Sequence, residues 1–171
     1  MALLSTEHAS LTATLQDELR RKFRQIMALK DELHSFAESV NGSAICAGCK
    51  GECCACGKYH FTVIDTLAYL ATGKPLFTPR FGGDHCPYQG EAGCLMEPAT
   101  RPFNCITFNC ECIEGLLCTS ELERFYALEK VLRLRYREVE ELFGGSYMHG
   151  LLMNYERDVL AKGRPLLGEK G

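Results

Sequence analysis

Hydrophobic and polar positions along residues 1–45 repeat with the period of an amphipathic α-helix. The apolar positions are Leu15, Leu19, Ile26, Leu29, Leu33, Phe36 and Val40, with one gap around Lys22. Asn41 and Gly42 follow, and both residue types tolerate the left-handed conformation that closes a helix. The pattern therefore predicts one long N-terminal helix that ends at Asn41-Gly42. Because its apolar seam approximates a heptad repeat, two arrangements stay open, namely packing within its own domain and pairing with a second copy of the chain.

The last segment, residues 119–171, shows helical periodicity twice, over 122–142 and over 147–160. Each stretch is followed by glycine, which commonly ends a helix. Ser120 and Glu123 have the spacing of a capping box, in which a serine hydroxyl and a glutamate carboxylate satisfy exposed amides of the first helical turn. The segment therefore predicts two C-terminal helices, the first of them capped by Ser120.

The middle segment, residues 46–118, contains five of the six prolines and nine of the sixteen glycines, which disfavour regular structure. Residues 62–71 are an exception, since they place apolar residues on one helical face and Gly73 follows them. The remainder is predicted to be loop, and no stretch alternates for long enough to predict a sheet. Together the segments predict a mainly α fold: a single domain, 1–171, with a long N-terminal helix and C-terminal helices around a loop-rich cysteine segment.

Composition excludes several classes of protein. The chain has 171 residues, which is enough for one domain with a sizeable core. No apolar run approaches the roughly 20 residues that a membrane span needs, so we expect no membrane partner. The formal net charge of −3 provides no bulk positive field, so we expect no nucleic-acid partner.

All eleven cysteines lie in the middle segment, between Cys46 and Cys118. Secreted proteins usually distribute cysteines along the chain as disulfides, whereas a metal site gathers its ligands. The N-terminal residues lack the features of a secretory signal, and the cysteine count is odd. We therefore expect a cytoplasmic protein whose clustered thiols bind metal, with a disulfide framework as the weaker alternative. Bound metal would supply the order that a loop-rich segment cannot obtain from apolar burial.

The first group of cysteines contains Cys46 and Cys49, whose C-x-x-C spacing lets two thiolates face one ion. Cys53 and Cys54 are adjacent, and an extended backbone would send their side chains to opposite faces. We therefore expect these two cysteines to serve different sites, or one of them to support a site without binding the ion.

The second group of cysteines comprises Cys86, Cys94, Cys105, Cys110 and Cys112. Gly90 and Gly93 allow a tight turn between the first two of them. Arg101 either donates hydrogen bonds to thiolates, which would stabilise an anionic site, or lies on the surface. His60 and His85 are candidate ligands or donors, although solvated loop positions are the simpler interpretation.

Residues 46–110 carry an ordered pair of motifs, a C-x2-C-x3-C-C cluster and a distal R-P-x2-C-x2-F-x-C that begins at Arg101. The combination resembles the zinc- or iron-chelating, YkgJ-like cysteine-cluster proteins. The resemblance implies a metal-binding set of eight residues: Cys46, Cys49, Cys53, Cys54, Cys86, Cys94, Cys105 and Cys110. It leaves Cys56, Cys112 and Cys118 outside the set, as spare or supporting thiols.

The spacing leaves the metal open. Eight thiolates suffice for two four-ligand sites, or for one four-ligand cluster with four supporting or redox-active cysteines. Zinc fits the tetrahedral preference for four thiolates. An iron–sulfur cluster fits the surplus of cysteines and the Cys86-Pro87 step. Both cofactors therefore stay as predictions.

The leading functional hypothesis is an accessory or structural metal-binding protein without catalytic activity. Its expected partners are the metal and, through the N-terminal helix, another protein or a second copy of the chain. One alternative is an iron–sulfur redox or electron-transfer protein. Another comes from the family resemblance, because some relatives are linked to protein lysine methylation: an accessory to a protein-methylating enzyme.

Overall fold

The structure, a computed structural model, describes residues 2–49, 52–54, 57–76, 78–80, 86–91, 93–144 and 165–167. Its helices are α1 (Ala2–Ser10), α2 (Ala13–Ser39), α3 (Gly42–Gly48), α4 (Val63–Thr72), α5 (Phe103–Thr107), α6 (Glu111–Glu114) and α7 (Thr119–Leu142). Short 3₁₀ turns cover Glu52–Cys54, Gly57–Tyr59 and Pro98–Thr100, and the strands β1 (Gln89–Gly90) and β2 (Gly93–Cys94) form an antiparallel hairpin. The mainly α fold confirms the predicted class. The helix predicted over 147–160 lies outside the described residues, as do Cys56 and His85.

Helix α2 has nearly the extent that the apolar pattern predicts. Its first turn is capped by Thr12, whose side chain accepts a hydrogen bond from the Leu15 amide. Asn41 follows its end with a left-handed φ of 59°. Gly42 does not share this role, because it begins α3, and a Cβ there would lie 2.7 Å from the Ala37 carbonyl oxygen. The asparagine therefore ends the long helix, and the glycine lets the next helix turn directly away from it.

The apolar face of α2 is buried inside the chain. Its buried apolar residues are Leu19, Phe23, Ile26, Leu33 and Phe36. Phe23 fills the gap around Lys22, so the buried stripe is continuous. The covering surface comes mainly from α7, the turn Pro98–Thr100 and α4. Packing within its own domain is thus the observed arrangement, and this face is not available for pairing with a second copy.

Helix α7 begins two residues earlier than predicted. Its N-cap is Cys118, whose amide donates a hydrogen bond of 2.8 Å to the Glu121 carboxylate. The prediction of a cap at Ser120 with Glu123 is wrong, because two glutamates two residues apart both satisfy the capping-box spacing. The buried face of α7 carries Phe125, Leu132, Tyr136 and Val139.

The predicted helix within the middle segment is confirmed as α4. The Thr62 hydroxyl accepts a hydrogen bond from the Asp65 amide, and the Asp65 carboxylate accepts one from the Thr62 amide. Gly73 closes the helix with a left-handed φ of 68°. Because α4 packs against α2 and α7, this part of the cysteine segment belongs to the main core.

A buried polar cluster joins α2, α4 and α7. Lys30, Asp65 and Tyr136 are each at most 2% exposed. The Tyr136 hydroxyl donates to Oδ1 of Asp65 at 2.7 Å, and Nζ of Lys30 lies 3.6 Å from the same oxygen. The ammonium also donates to the Arg101 carbonyl oxygen at 2.5 Å. Burial lowers the pKa of Lys30, and the neighbouring Asp65 carboxylate opposes that shift.

The rest of the middle segment contains more regular structure than predicted. Helices α3, α5 and α6 occupy stretches that were predicted to be loop. Each has seven residues or fewer, which is too few for a period of 3.6 to be recognised. Helix α1 was also not predicted, and its Leu4 is buried in the core. In the described part of the chain, no helix combines the length and apolar character needed to cross a membrane.

Candidate metal centre

Eight cysteines from separate parts of the chain line one cavity of about 740 Å³. They are Cys46, Cys49, Cys53, Cys54, Cys86, Cys94, Cys105 and Cys110. This is the set that the family resemblance implies. Two other described cysteines, Cys112 and Cys118, are exposed and do not line the cavity. The structure thus brings the eight together, and their role as ligands stays a prediction.

The first four cysteines follow one another along the end of α3 and a 3₁₀ turn. Cys46 and Cys49 lie one helical turn apart, with the Cys49 thiol 3.4 Å from the Cys46 carbonyl oxygen. The Glu52 amide donates to the Cys49 carbonyl at 3.2 Å and leads the chain into the turn. Cys53 and Cys54 therefore occupy 3₁₀ backbone, and the extended backbone assumed from the sequence is wrong. Their Sγ atoms lie 3.9 Å apart, because a 3₁₀ turn rotates adjacent side chains by only about 120°.

The β1–β2 hairpin presents Cys86 and Cys94 to the cavity. Gln89 is the register partner of Cys94, and its amide donates to the Cys86 carbonyl at 2.9 Å. Gly93 has a φ of 108°, which only glycine adopts readily and which confirms the predicted tight turn. The Cys86 thiol lies so close to Gly57 that a Cβ there would be 2.6 Å from Sγ. A second glycine thereby lets the hairpin approach the chain that follows the first group of cysteines.

Helices α5 and α6 carry the last two cysteines of the set. Cys105 lies in α5, which begins after Pro102, and its thiol is 3.4 Å from Nδ1 of His60. The interpretation of His60 as a solvated loop residue is therefore wrong, since its half-buried imidazole contacts a cysteine. Cys110 is the N-cap of α6, and α6 packs against α3. With these two residues, all eight cysteines of the set line the cavity.

Polar side chains beside the thiols add hydrogen-bond donors to the cavity wall. Arg101 is half-buried, and its Nε donates to the Met96 carbonyl at 3.2 Å while Nη1 lies 3.5 Å from Nδ1 of His34. It is therefore not a free surface side chain, and its described hydrogen-bond contacts are with a carbonyl and an imidazole. The amide Nδ2 of Asn109 is buried and has no hydrogen-bond partner in the described part of the chain. A buried donor next to Cys110 fits a negatively charged group in the cavity.

The environment of the thiols favours their protonated form. Burial, together with the neighbouring Cys54 thiol, raises the pKa of Cys53 to about 12. Burial also raises the pKa of Cys46, Cys54, Cys86 and Cys105. A low-dielectric site disfavours each thiolate, and neighbouring thiolates repel it further. A cation in the cavity would reverse both effects, because thiols bind metal in their deprotonated form.

The thiols surround the cavity without forming a finished coordination sphere. Across the described ranges, no group of three or more His, Cys, Asp or Glu side chains is arranged to hold an ion. The described cysteines are free, so no disulfide joins any of them to another. The site therefore consists of thiols, which are possible metal ligands, around one cavity. Binding an ion would require side-chain movements toward a shared point.

A small second core supports the hairpin. Phe61, Tyr69, Tyr88 and Met96 are buried together, and Cys86 packs against them. The ring centroid of Phe61 lies 6.0 Å from that of Tyr69 and 6.1 Å from that of Tyr88. The hairpin cysteines are thus held by aromatic packing as well as by the turn.

The family resemblance pointed to the eight cysteines, but the sequence analysis missed two other side chains that line the same cavity, His34 and Asn109. His34 lies on α2, far from any cysteine in the sequence, and nothing in the local pattern distinguishes it from a surface histidine. Asn109 had a usable signal, because it directly precedes Cys110 and amides often donate to thiolates in metal sites.

Comparisons of the chain with models of known families, with curated proteins and with solved structures found no match.

Proposed function

We propose that this protein is a metal-binding cysteine-cluster protein with an accessory or structural role, in which thiolates coordinate zinc or an iron–sulfur cluster. The observation that carries the proposal is the gathering of eight cysteines from separate parts of the chain around one cavity. Thiolates are preferred ligands of both cofactors. The family resemblance of the motif supports the same function.

The chemistry of the cavity wall fits a metal held by thiolates. Four thiolates around a divalent cation carry a net charge of about −2, and such a site is stabilised by nearby hydrogen-bond donors and cations. Two groups of this kind lie at the cavity: the guanidinium of Arg101, and the Asn109 amide, which has no hydrogen-bond partner among the described residues. Coordination by thiolates alone leaves no open position for a substrate. The donor set therefore favours a structural role over catalysis.

A bound metal would order the chain around the cavity. Apart from α4, the elements between residues 46 and 118 are short, and several cysteines sit on turns. Fixing one residue costs about 1–2 kcal/mol of backbone entropy, which short elements offset poorly through apolar burial. Bonds from one ion to cysteines that are distant in sequence supply this free energy. The helical core would then carry a metal-ordered surface for a partner.

Elemental analysis and an absorption spectrum of the full chain, purified without oxygen, test the proposal. Zinc without visible absorption would support closed structural sites, and iron with acid-labile sulfide and a broad visible band would support a cluster. The Cys49→Ser/Cys105→Ser variant should bind metal more weakly than the wild type and lose it to a competing chelator. The matched Cys112→Ser/Cys118→Ser variant should keep it, because neither of its cysteines lines the cavity. Failure of the wild-type chain to retain metal after reconstitution with zinc, and with iron and sulfide, would refute the proposal.

An iron–sulfur redox or electron-transfer protein is the second candidate. Cys53 and Cys94 line the cavity and are nevertheless exposed. Ligands with this exposure would hold a cluster near the surface, where an electron can pass to a partner such as a protein-modifying enzyme. A visible spectrum that bleaches on reduction and returns on reoxidation would support this role. A zinc protein would show no such change.

A further inference from the structure

The eight thiols that line the cavity are enough for two metal sites with four ligands each. We propose that one divalent cation is bound by Cys46, Cys49, Cys53 and Cys110 (site one), and a second by Cys54, Cys86, Cys94 and Cys105 (site two). This inference rests on the proposed metal-binding function and adds which cysteines share an ion. The ligand class is a cation that accepts four thiolates in tetrahedral geometry, such as zinc.

Site one is built from α3 and α6. Cys46 and Cys49 lie one turn apart at the end of α3, and Cys53 follows after a single hydrogen-bonded turn. Cys110 is the N-cap of α6, which packs against α3, as does β2 with Cys94 of site two. The thiols of Cys49, Cys53 and Cys110 each interact electrostatically with the Cys46 thiol. The Cys46 thiol is therefore a neighbour of every other member of site one.

Site two begins with the chain that leaves Cys54. Three residues later, Gly57 lies against the Cys86 thiol. A Cβ added to Gly57 would be only 2.6 Å from the Cys86 Sγ. His60 follows, and its Nδ1 lies 3.4 Å from the Cys105 thiol. Gly57 and His60, which follow Cys54 in the sequence, thus lie against two other members of its proposed site.

The hairpin adds the fourth member of site two. Strand pairing places Cys94 opposite Gln89, whose amide binds the Cys86 carbonyl, so both hairpin cysteines face the same space. The thiols of Cys86, Cys94 and Cys54 each interact electrostatically with the Cys105 thiol. All four members of site two are therefore mutual neighbours.

The two sites meet at the adjacent pair Cys53 and Cys54. Their Sγ atoms are 3.9 Å apart, a distance that one shared ion would also allow. The Cys53 thiol interacts with Cys110 and Cys49 of site one. The Cys54 thiol interacts with Cys86 and Cys94 of site two and also with Cys46 of site one, so most of its other thiol neighbours belong to site two. The 3₁₀ turn therefore directs consecutive thiols into two neighbouring sites.

Paired substitutions in the full chain, reloaded with zinc alone and freed of excess metal, test the division. Double variants are used because three remaining thiolates can still hold an ion. Cys49→Ser/Cys110→Ser removes two ligands from site one, and Cys86→Ser/Cys94→Ser removes two from site two. Cys49→Ser/Cys94→Ser removes one ligand from each site, and Cys112→Ser/Cys118→Ser is the matched control. Far-UV circular dichroism checks that the helical core is retained in each variant.

We expect about two zinc ions in the wild type and the control, and about one in each same-site variant, since the intact set still offers four thiolates. The cross-site variant should bind its zinc more weakly at both sites and lose both ions to a competing chelator that leaves one ion in the same-site variants. Equal retention in same-site and cross-site variants would overturn the division. Loss of all zinc from every cavity variant would also overturn the division, because a single metal cluster that uses all eight thiols predicts this result. A wild type that retains no zinc would overturn the division, and the metal-binding function itself would be refuted only if the chain also failed to retain iron and sulfide.

Thiol alkylation of the Cys49→Ser/Cys110→Ser protein gives a second test that separates adjacent residues. With its one zinc bound, Cys54 and Cys86 should be protected from a maleimide, while Cys46 and Cys53 should react. Peptide fragmentation by mass spectrometry distinguishes Cys53 from Cys54. Equal labelling of these two neighbours would contradict the proposed sites.

Discussion

The helical core and the cysteine cavity are held together by different physical means. In the core, α2, α4 and α7 bury a continuous apolar face, and the charged residues Lys30 and Asp65 bind each other and Tyr136. Around the cavity, burial raises the pKa of several thiols, and the Asn109 amide has no partner in the described part of the chain. In the core, Lys30, Asp65 and Tyr136 satisfy one another. At the cavity, a cation would favour the thiolate forms of the cysteines, and the resulting thiolates could accept a hydrogen bond from the Asn109 amide.

Helix α4 shows where the boundary between these regions lies. In the sequence it stands among the cysteines, but its Val63 and Leu67 are buried in the main core. Just before it, His60 contacts Cys105 at the cavity. The two regions therefore meet at the start of α4 and not at the ends of the cysteine segment.

Metal removal should produce the largest difference between the two regions. We expect amide hydrogen exchange in α3, in the hairpin and in α5–α6 to accelerate roughly 100-fold or more, because these elements would lose metal-derived stabilisation. Exchange in α2, α4 and α7 should change little. Mass-spectrometric hydrogen exchange of zinc-loaded and chelator-treated protein measures both effects. Equal loss of protection in α4 would show that the core also depends on metal.

Substitution of Asp65 should break the core with the next largest effect. Asp65→Ala leaves the Lys30 ammonium and the Tyr136 hydroxyl buried without their carboxylate, and we expect a loss of about 3–5 kcal/mol in the free energy of unfolding. Asp17→Ala is the matched control, since Asp17 pairs with Arg20 on the exposed face of α2 and should cost less than about 1 kcal/mol. Urea unfolding in the presence of a reductant measures both variants. A loss below 1 kcal/mol for Asp65→Ala would mean that the polar cluster does not stabilise the core.

The smallest expected effect is a pH dependence of the stability that comes from His34, a residue of the core helix α2 that lines the cavity. Burial, and then the Arg101 guanidinium, lower the pKa of His34 below its usual 6.5. The unfolded chain therefore binds this proton more readily, and stability is lost as the pH falls below about 6.5. With chelator and reductant present, His34→Gln should reduce the loss of stability between pH 7.5 and 5.5. Part of the loss should remain, because His8 and His60 also have lowered pKa values, and an unchanged slope would contradict the assignment.

Long elements were predictable because their patterns repeat over several turns. Helices α2, α4 and α7 lie where the apolar periodicity placed them, and Asn41 and Gly73 have the left-handed conformations expected at helix ends. Short elements were not predictable, because α3, α5 and α6 hold too few residues for a period to be seen. The cap of α7 was placed two residues late, since Glu121 and Glu123 offer the same spacing in two registers.

The amino-acid sequence by itself determined the mainly α fold, because helical periodicity is a local property of the chain. The resemblance of its cysteine motifs to a known family implied the eight cysteines that line the cavity. Only the tertiary structure decided which thiols are neighbours, since those contacts join residues that are distant in the sequence. It likewise placed His60 against Cys105 and buried Lys30 beside Asp65. Both pairings depend on how helices and turns pack, and packing is set by the shapes of all the elements together.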